Sequence, residues 1–488
     1  WVAELLTPGV YSLDNAAVQP QASAYTSRKR VNSVYGQLDF GFRDYLFVSV
    51  TGRNDWSSTL PENNNSYFYP SVSTSFVFSD AIPSLQNSSF LSYGKLRAAW
   101  ARVGNDTDPY RLRSTFSAGD PFLGYTTYSV PNTLANANLK PEMTTSKEVG
   151  VELGFLNDRL GLDVTYFDEL TEDQIMSVQI SRATGYSGRY VNAGSMRNRG
   201  IEVLLRGVPV QTDNFRWETS LTFDKTKNEV VSLAEGLDGL RLGSYWYAGV
   251  YARPGEPYGQ ILGTTFQRDP QGRIIVNANG VPLRSQELKV LGNYTPDWSA
   301  GWSNTLRYKD FSLSFLFDTK QGNELYSVTH QWGTYAGVLK ETVKGRCIEP
   351  GWDPVDGMPE CTPETGIVVP GVVRVISGTD TTYVENTKAI SAQTYWNALG
   401  NIAEAHIVDA SYIKLRDVTF TWNVPASITS RLGFSGMQLS VSGRNLLLWT
   451  DAPHIDPETA FDASNVQGFE FGQLPTPRSI GFGVTIQP

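Results

Sequence analysis

The chain is poor in several residue types that usually announce a function. It has two cysteines, three histidines and five methionines in 488 residues, and charged side chains reach only 18%. The histidines, His330, His406 and His454, are scattered and form no metal-ligand spacing. There is no HExxH, no GxSxG and no glycine loop of the phosphate-cradling type. Carboxylates are plentiful, with 49 Asp and Glu, but no pair stands out as a general acid and base. No enzyme, metal site or cofactor is therefore expected. No Lys/Arg cluster occurs, the formal net charge is -9 and the pI is about 5.1, so nucleic acid is a poor partner. No run approaches 18 consecutive apolar residues, which excludes a helical membrane span.

What is abundant points one way. Aromatics make up 12% and there are 44 glycines, a composition that suits pleated surfaces better than helices. Mean hydropathy of -0.27 fits a soluble protein, yet a transmembrane barrel gives the same average because its lipid-facing residues alternate with polar ones. Spacing separates the two. Phe311, Leu313, Phe315 and Phe317 alternate with Ser312, Ser314, Leu316 and Asp318; Leu160, Leu162, Val164 and Tyr166 alternate with Gly161, Asp163 and Thr165. Ile480, Phe482, Val484 and Ile486 alternate with Gly481, Gly483 and Thr485. Such segments predict strands near 31–41, 44–54, 67–79, 92–103, 145–155, 159–169, 196–208, 215–227, 298–308, 311–319, 411–422, 436–446 and 477–487. The phase flips within 411–422, which a β-bulge near Arg416–Asp417, or a short turn, explains.

The connections carry the stronger message. Tight turns are expected at Arg43-Asp44, Asn157-Asp158, Asp213-Asn214 and Lys309-Asp310. Long polar and aromatic stretches at about 104–144, 170–195, 228–297, 320–410 and 447–476 alternate with them. Short periplasmic turns and long extracellular loops are the pattern of an outer-membrane barrel. The fold expected is thus all-β, a transmembrane antiparallel β-barrel of about 13 strands, with residues 1–30 an extracellular loop segment and 31–488 the barrel. Bacterial single-chain barrels have even strand counts, so preceding strands are expected to complete this one, which opens on Trp1 in mid-sequence.

Cys347 and Cys361, fourteen positions apart in the loop 320–410, suit a disulfide closing a surface loop. Two free thiols or a metal pair are the alternatives, the latter without CxxC spacing or a nearby His. Asn105 to Asp108 and Asp451 to Glu458 look like calcium loops but lack EF-hand spacing, and are read as turn-forming. Tyr245, Trp246, Tyr247, Trp332, Tyr335, Trp352, Tyr395 and Trp396 lie in the expected external loops, where aromatics stack on sugars, grip peptides, or pack against other loops or a lid protein. Trp56, Tyr67 and Trp298, near strand ends, are assigned to membrane-interface girdles.

Several phrases then resemble the SusC/RagA family of TonB-dependent outer-membrane transporters. They include Arg53-Asn54-Asp55-Trp56-Ser57-Ser58 with Tyr67-Phe68-Tyr69-Pro70-Ser71, Gly94-Lys95-Leu96-Arg97-Ala98, and Asn138-Leu139-Lys140-Pro141-Glu142. Asn198-Arg199-Gly200-Ile201-Glu202, Ala410-Ser411-Tyr412-Ile413-Lys414-Leu415-Arg416, Gly443-Arg444-Asn445-Leu446-Leu447 and Asp456-Pro457-Glu458 fit as well, and the matches run in order from about residue 28 to 486. The ending Gln487-Pro488 departs from the family, whose barrels usually end on an aromatic. The resemblance implies a 22-stranded barrel whose plug is absent from this chain. It implies active import of oligomeric nutrients in the bacterial outer membrane, among lipid and lipopolysaccharide. The partners implied are a SusD-like surface lipoprotein that caps the barrel, a TonB complex acting through the missing N-terminal region, and a dimer of such transporter–lipoprotein pairs. Glycan oligosaccharides are the first expected cargo, on how often the family handles them, and oligopeptides the second. A secreted all-β glycan-binding or adhesin protein, and a barrel for assembly or secretion, are the competing readings.

Overall fold

The computed structural model describes residues 4–18, 26–86, 88–462 and 464–488; part of the expected segment 1–30 therefore lies outside the described residues. Thirteen strands form one antiparallel sheet in chain order. They are β1 (Val31–Phe42), β2 (Leu46–Ser57), β3 (Ser66–Val77), β4 (Leu91–Asn105), β5 (Glu142–Phe155), β6 (Leu160–Glu172) and β7 (Ser195–Gln211). The order continues with β8 (Phe215–Ser232), β9 (Trp298–Tyr308), β10 (Phe311–Gln321), β11 (Tyr412–Val424), β12 (Gly436–Thr450) and β13 (Ser479–Gln487). Each overlaps one segment marked out by period-two alternation.

The register explains the alternation. Leu38 pairs with Val50, Val50 with Val72 and Val72 with Trp100. Further round, Val149 pairs with Tyr166, Tyr166 with Ile201, Leu221 with Trp302, Phe420 with Val441 and Val441 with Phe482. Every one of these side chains is exposed. A continuous apolar belt of this extent is stable only against a non-aqueous solvent. The opposite face is polar: Asp39 pairs with Ser49 and Ser49 with Ser73, while Lys95 reaches Glu152 at 2.6 Å and Arg97 reaches Asp163 at 2.5 Å.

The phase flip in β11 is a bulge. Leu415 pairs with Phe317 and Asp417 with Leu316, so Arg416 has no partner on β10. The extra residue lets Ile413 and Leu415 share a face with Val418 and Phe420, and turns Arg416 toward Asp318 on the polar side. Tight turns occur where expected, with left-handed backbone at Arg43, Asp44, Asn157, Asp158 and Lys309. All five long connections, 106–141, 173–194, 233–297, 322–411 and 451–478, leave the same end of the sheet. β7 and β8 run 17 and 18 residues, past their expected ends: β7 continues to Gln211 on the short-turn side and β8 to Ser232 on the long-loop side.

Tyr67 is a correction. Its register places it opposite Asp55 on the polar face, where it is buried with Leu60 and Leu139 and stacks on Tyr69 at 6.0 Å. It is not part of a membrane-facing girdle; Trp56 and Phe68, on the other face, are exposed.

Candidate functional site

The long connections fold into a cap with its own core. Ala248, Val250 and Ile261 from 233–297 pack with Tyr326, Val328 and Ala403 from 322–411 and with Phe469 from 451–478. The strand Glu324–Ser327 pairs with both Ile407–Asp409 and Phe469–Glu470, stitching the loops together. Two helices stand on this base: α1 (Val328–Tyr335), capped by the Ser327 hydroxyl accepting from His330 N, and α2 (Ala392–Leu399), capped by Ser391 accepting from Thr394 N. Gln331 ties them, accepting from Tyr326 Oη at 2.7 Å and donating to Gly400 O at 2.6 Å.

Two clefts open beside these helices. The larger, of about 480 Å³, is lined by Tyr335, Trp352 and Trp396 with Arg346, Gln393 and Asn397 among its polar groups. The smaller, of about 270 Å³, is lined by Trp246, Tyr247, Trp332 and Tyr335 with Gln331 and Asn397. Tyr335 and Asn397 line both, so the clefts adjoin. Six of the eight loop aromatics singled out in the sequence thus converge, drawn from connections 233–297 and 322–411. Aromatic faces interleaved with side-chain amides present both an apolar platform and fixed hydrogen-bonding groups, the mixture that recognises amphipathic ligands.

The other two do not line the clefts. Tyr245 faces the cap core, edge-on to Phe461 at 5.1 Å and Phe469 at 5.0 Å. Tyr395 packs against the smaller core of Val276, Val369 and Ile390. Trp246 ends up exposed because it stands at the two-residue tip between the paired Tyr245 and Ala248, with φ +47°. That conformation is costly for a bulky residue, and contacts with Trp332 at 5.5 Å and Phe471 at 5.3 Å hold the ring there.

Cys347 and Cys361 form a disulfide, S–S 2.01 Å. The loop it closes carries Trp352 and Met358 into the wall of the larger cleft. The two expected turn segments make contacts to the wall strands. Asp106 accepts from Ser57 at 2.5 Å, and Asp456 holds Lys414 with both oxygens at 3.0 Å.

A group with no sequence signal also assembles here. Two histidines flank Glu341 and the third joins through one of them: His330 Nε2 lies 3.4 Å and His454 Nε2 3.0 Å from Glu341 Oε1, and His330 Nδ1 is 3.1 Å from His406 Nδ1. Burial pushes His406 down to about 4, with His330 beside it adding to the effect. Burial also lowers His330, against the pull of Glu341. Among the described residues no group of three or more His, Cys, Asp or Glu is arranged to hold a metal ion.

Comparison with known proteins fits this architecture. Residues 6–446 match the family described as TonB dependent receptor-like, beta-barrel. The chain is 26% identical to TonB-dependent receptor P3 of Formosa agariphila over 98% of this chain and 47% of that protein. It is 25% identical to TonB-dependent receptor SusC of Bacteroides thetaiotaomicron over 63% of this chain and 32% of that one. In structure it resembles the RagAB peptide transporter, with a TM-score of 0.75 at 19% identity, over 98% of this chain and 50% of that one. The chain spans about half the length of the first two Formosa agariphila receptors it matches, 47% and 46%. The chain belongs to the TonB-dependent receptor β-barrel family, whose members are outer-membrane proteins.

Proposed function

We propose that this chain forms part of the wall and the external rim of an active importer that works together with a TonB complex and takes up oligomers too large for porins. Its two open sheet edges are closed by further strands, to 22 in all, and an internal plug sits against the polar wall face. There Asp39, Lys95, Arg97 and Glu148 line a hollow of about 610 Å³. A SusD-like lipoprotein covers the long-loop end, and two such pairs assemble as a dimer.

The convergence of Trp246, Trp332, Tyr335, Trp352 and Trp396 on adjoining clefts, with Gln331, Gln393 and Asn397 between them, carries the cargo reading. Flat aromatic faces stack on sugar rings while amides match hydroxyl groups, so the cargo proposed is a glycan oligosaccharide. Oligopeptides are the second reading, since an extended backbone also satisfies amides; the likeness to a transporter named for peptides reaches only the fold.

Uptake of labelled oligosaccharides and peptides by cells carrying the wild type or Trp352→Ala/Trp396→Ala tests both. Removing two stacking platforms at about 1–3 kcal/mol each is expected to weaken oligosaccharide binding at least about tenfold. Peptide uptake that falls while oligosaccharide uptake does not reverses the order of the two readings.

A further inference from the structure

The apolar belt ends differently in different sectors of the wall. On β2, β3 and β12 its long-loop end is topped by Trp56, Phe68 and Trp449, all exposed. Over β5–β8 cations take that place. Lys147 stands opposite Asp168, Asp168 opposite Arg199 and Arg199 opposite Lys227, in one row across four strands. By alternation Arg197 and Lys225 lie on the same face, next to the row, with Glu229 opposite Arg197. Five cations therefore face two carboxylates, on a chain whose net charge is -9.

Their pairing is incomplete. Arg197 Nε donates to Asp168 at 2.8 Å, and Arg199 reaches Glu229 at 3.2 Å. Lys147, Lys225 and Lys227 are exposed. None of the three has an ion pair or a side-chain hydrogen bond among the described residues. Arg199 directly opposite Lys227 is a like-charge pair, which a sheet disfavours, and Glu229 offsets it only at Arg199. Immediately below the row come Val149, Tyr166 and Ile201, exposed and apolar on β5–β7, with Lys225 opposite Ile201 on β8. From Leu160 at the short-turn end to Asp168 is about nine positions, the length a tilted strand needs to cross hydrocarbon.

We infer that this row is a docking platform for a phosphorylated lipid headgroup of the outer leaflet. The cations take the phosphate, the two guanidiniums supplying forked donors and the lysines charge, while the apolar face beneath takes the acyl chains. A soluble phosphate compound meets only the first half of that surface. The inference rests on the proposed reading of the sheet as a membrane wall with its long loops outward, and it adds a specific lipid contact to it.

The test uses the full-length protein from outer membranes, reconstituted in phosphatidylcholine nanodiscs containing lipid A with its phosphate or after phosphatase treatment. Bound lipid A is counted by native mass spectrometry. The wild type is expected to retain the phosphorylated form on the order of tenfold better. Lys147→Gln/Lys225→Gln/Lys227→Gln loses that preference, and the corresponding triple arginine variant keeps it. Equal retention of both lipids by the wild type overturns the platform, as does a glutamine variant that keeps the preference. Displacement by inorganic phosphate alone assigns the cations to a soluble anion and also overturns it. If the glutamine variant does not fold, judged by heat-modifiable electrophoretic mobility, the wild-type comparison still decides. Release of the wild type from membranes without detergent overturns the wall reading itself, whereas membrane retention with no phosphate preference overturns only the platform.

Discussion

Lys414 is 2% exposed, and its ammonium lies 3.0 Å from both Asp456 oxygens and 2.6 Å from Glu458 Oε2. Arg416, turned inward by the bulge, shares Glu458 and holds Asp318. Together they pin connection 451–478 to the wall. Cutting one partner out of a buried pair costs about 3–5 kcal/mol because the other charge is left uncompensated. Lys414→Met should therefore free 451–478 to protease, and Lys414→Met/Asp456→Asn should recover much of the protection. Equal protection in the single variant and the wild type would refute the pin. The histidines give a second residue-scale expectation. His406 is held at about 4 in the folded cap against an ordinary 6.5, so between those values the unfolded state binds more protons. Stability of the cap should then fall as pH drops from about 6.5 to 4, by on the order of 3 kcal/mol for this group. His406→Gln should flatten that slope in a pH series of melting temperatures, while an unchanged slope would rule the linkage out. Neither cluster was legible beforehand. Lys414 lies 42 positions from Asp456, and His330 lies 76 from His406, so no local spacing joins them.

At the scale of elements, the wall was legible and the cap was not. A strand with lipid on one side and polar groups on the other must alternate, and that constraint acts within ten residues. It marked Phe311–Gln321 as readily as Ser479–Gln487. The cap obeys no such period, because its core joins Val250, Tyr326 and Phe469 across more than two hundred positions. Hence Tyr245 and Trp246 look alike in sequence, and only the hairpin separates the half-buried ring from the exposed one. The cysteine loop was the exception, since its spacing alone suited a bridge. Closing a loop of this size is worth roughly 3 kcal/mol in the chain-entropy account. Beside the bridge, Ile348 N donates to Pro359 O at 2.8 Å, Cys361 N to Ile348 O at 3.0 Å, and Ser391 N to Glu349 Oε1 at 2.7 Å, which ties the loop to the start of α2. Cys347→Ser/Cys361→Ser should make 347–361 the first site of proteolysis and weaken cargo binding several-fold through Trp352, with the belt and membrane insertion unaffected. Unchanged binding after reduction would separate the bridge from the cleft.

At the scale of the whole molecule, the sheet poses a problem that its own residues do not solve. β1 and β13 are its edges, and among the described residues neither pairs on its outer side. β1 is exposed along all 12 residues, with Val34, Leu38, Phe40 and Phe42 on its apolar face, and β13 exposes Ile480, Phe482, Val484 and Ile486. In water such edges are templates for aggregation. In a bilayer each unpaired backbone group costs several kcal/mol, so an open sheet cannot rest there either. The larger barrel proposed above, with further strands between β13 and β1, answers both solvents at once. Refolded alone into detergent micelles, residues 1–488 should give aggregates and no heat-modifiable monomer. Supplying the proposed further strands as a separate chain should rescue a monomeric, protease-resistant barrel. A stable folded monomer from 1–488 by itself would mean that the thirteen strands close on each other, and the larger barrel would have to be abandoned.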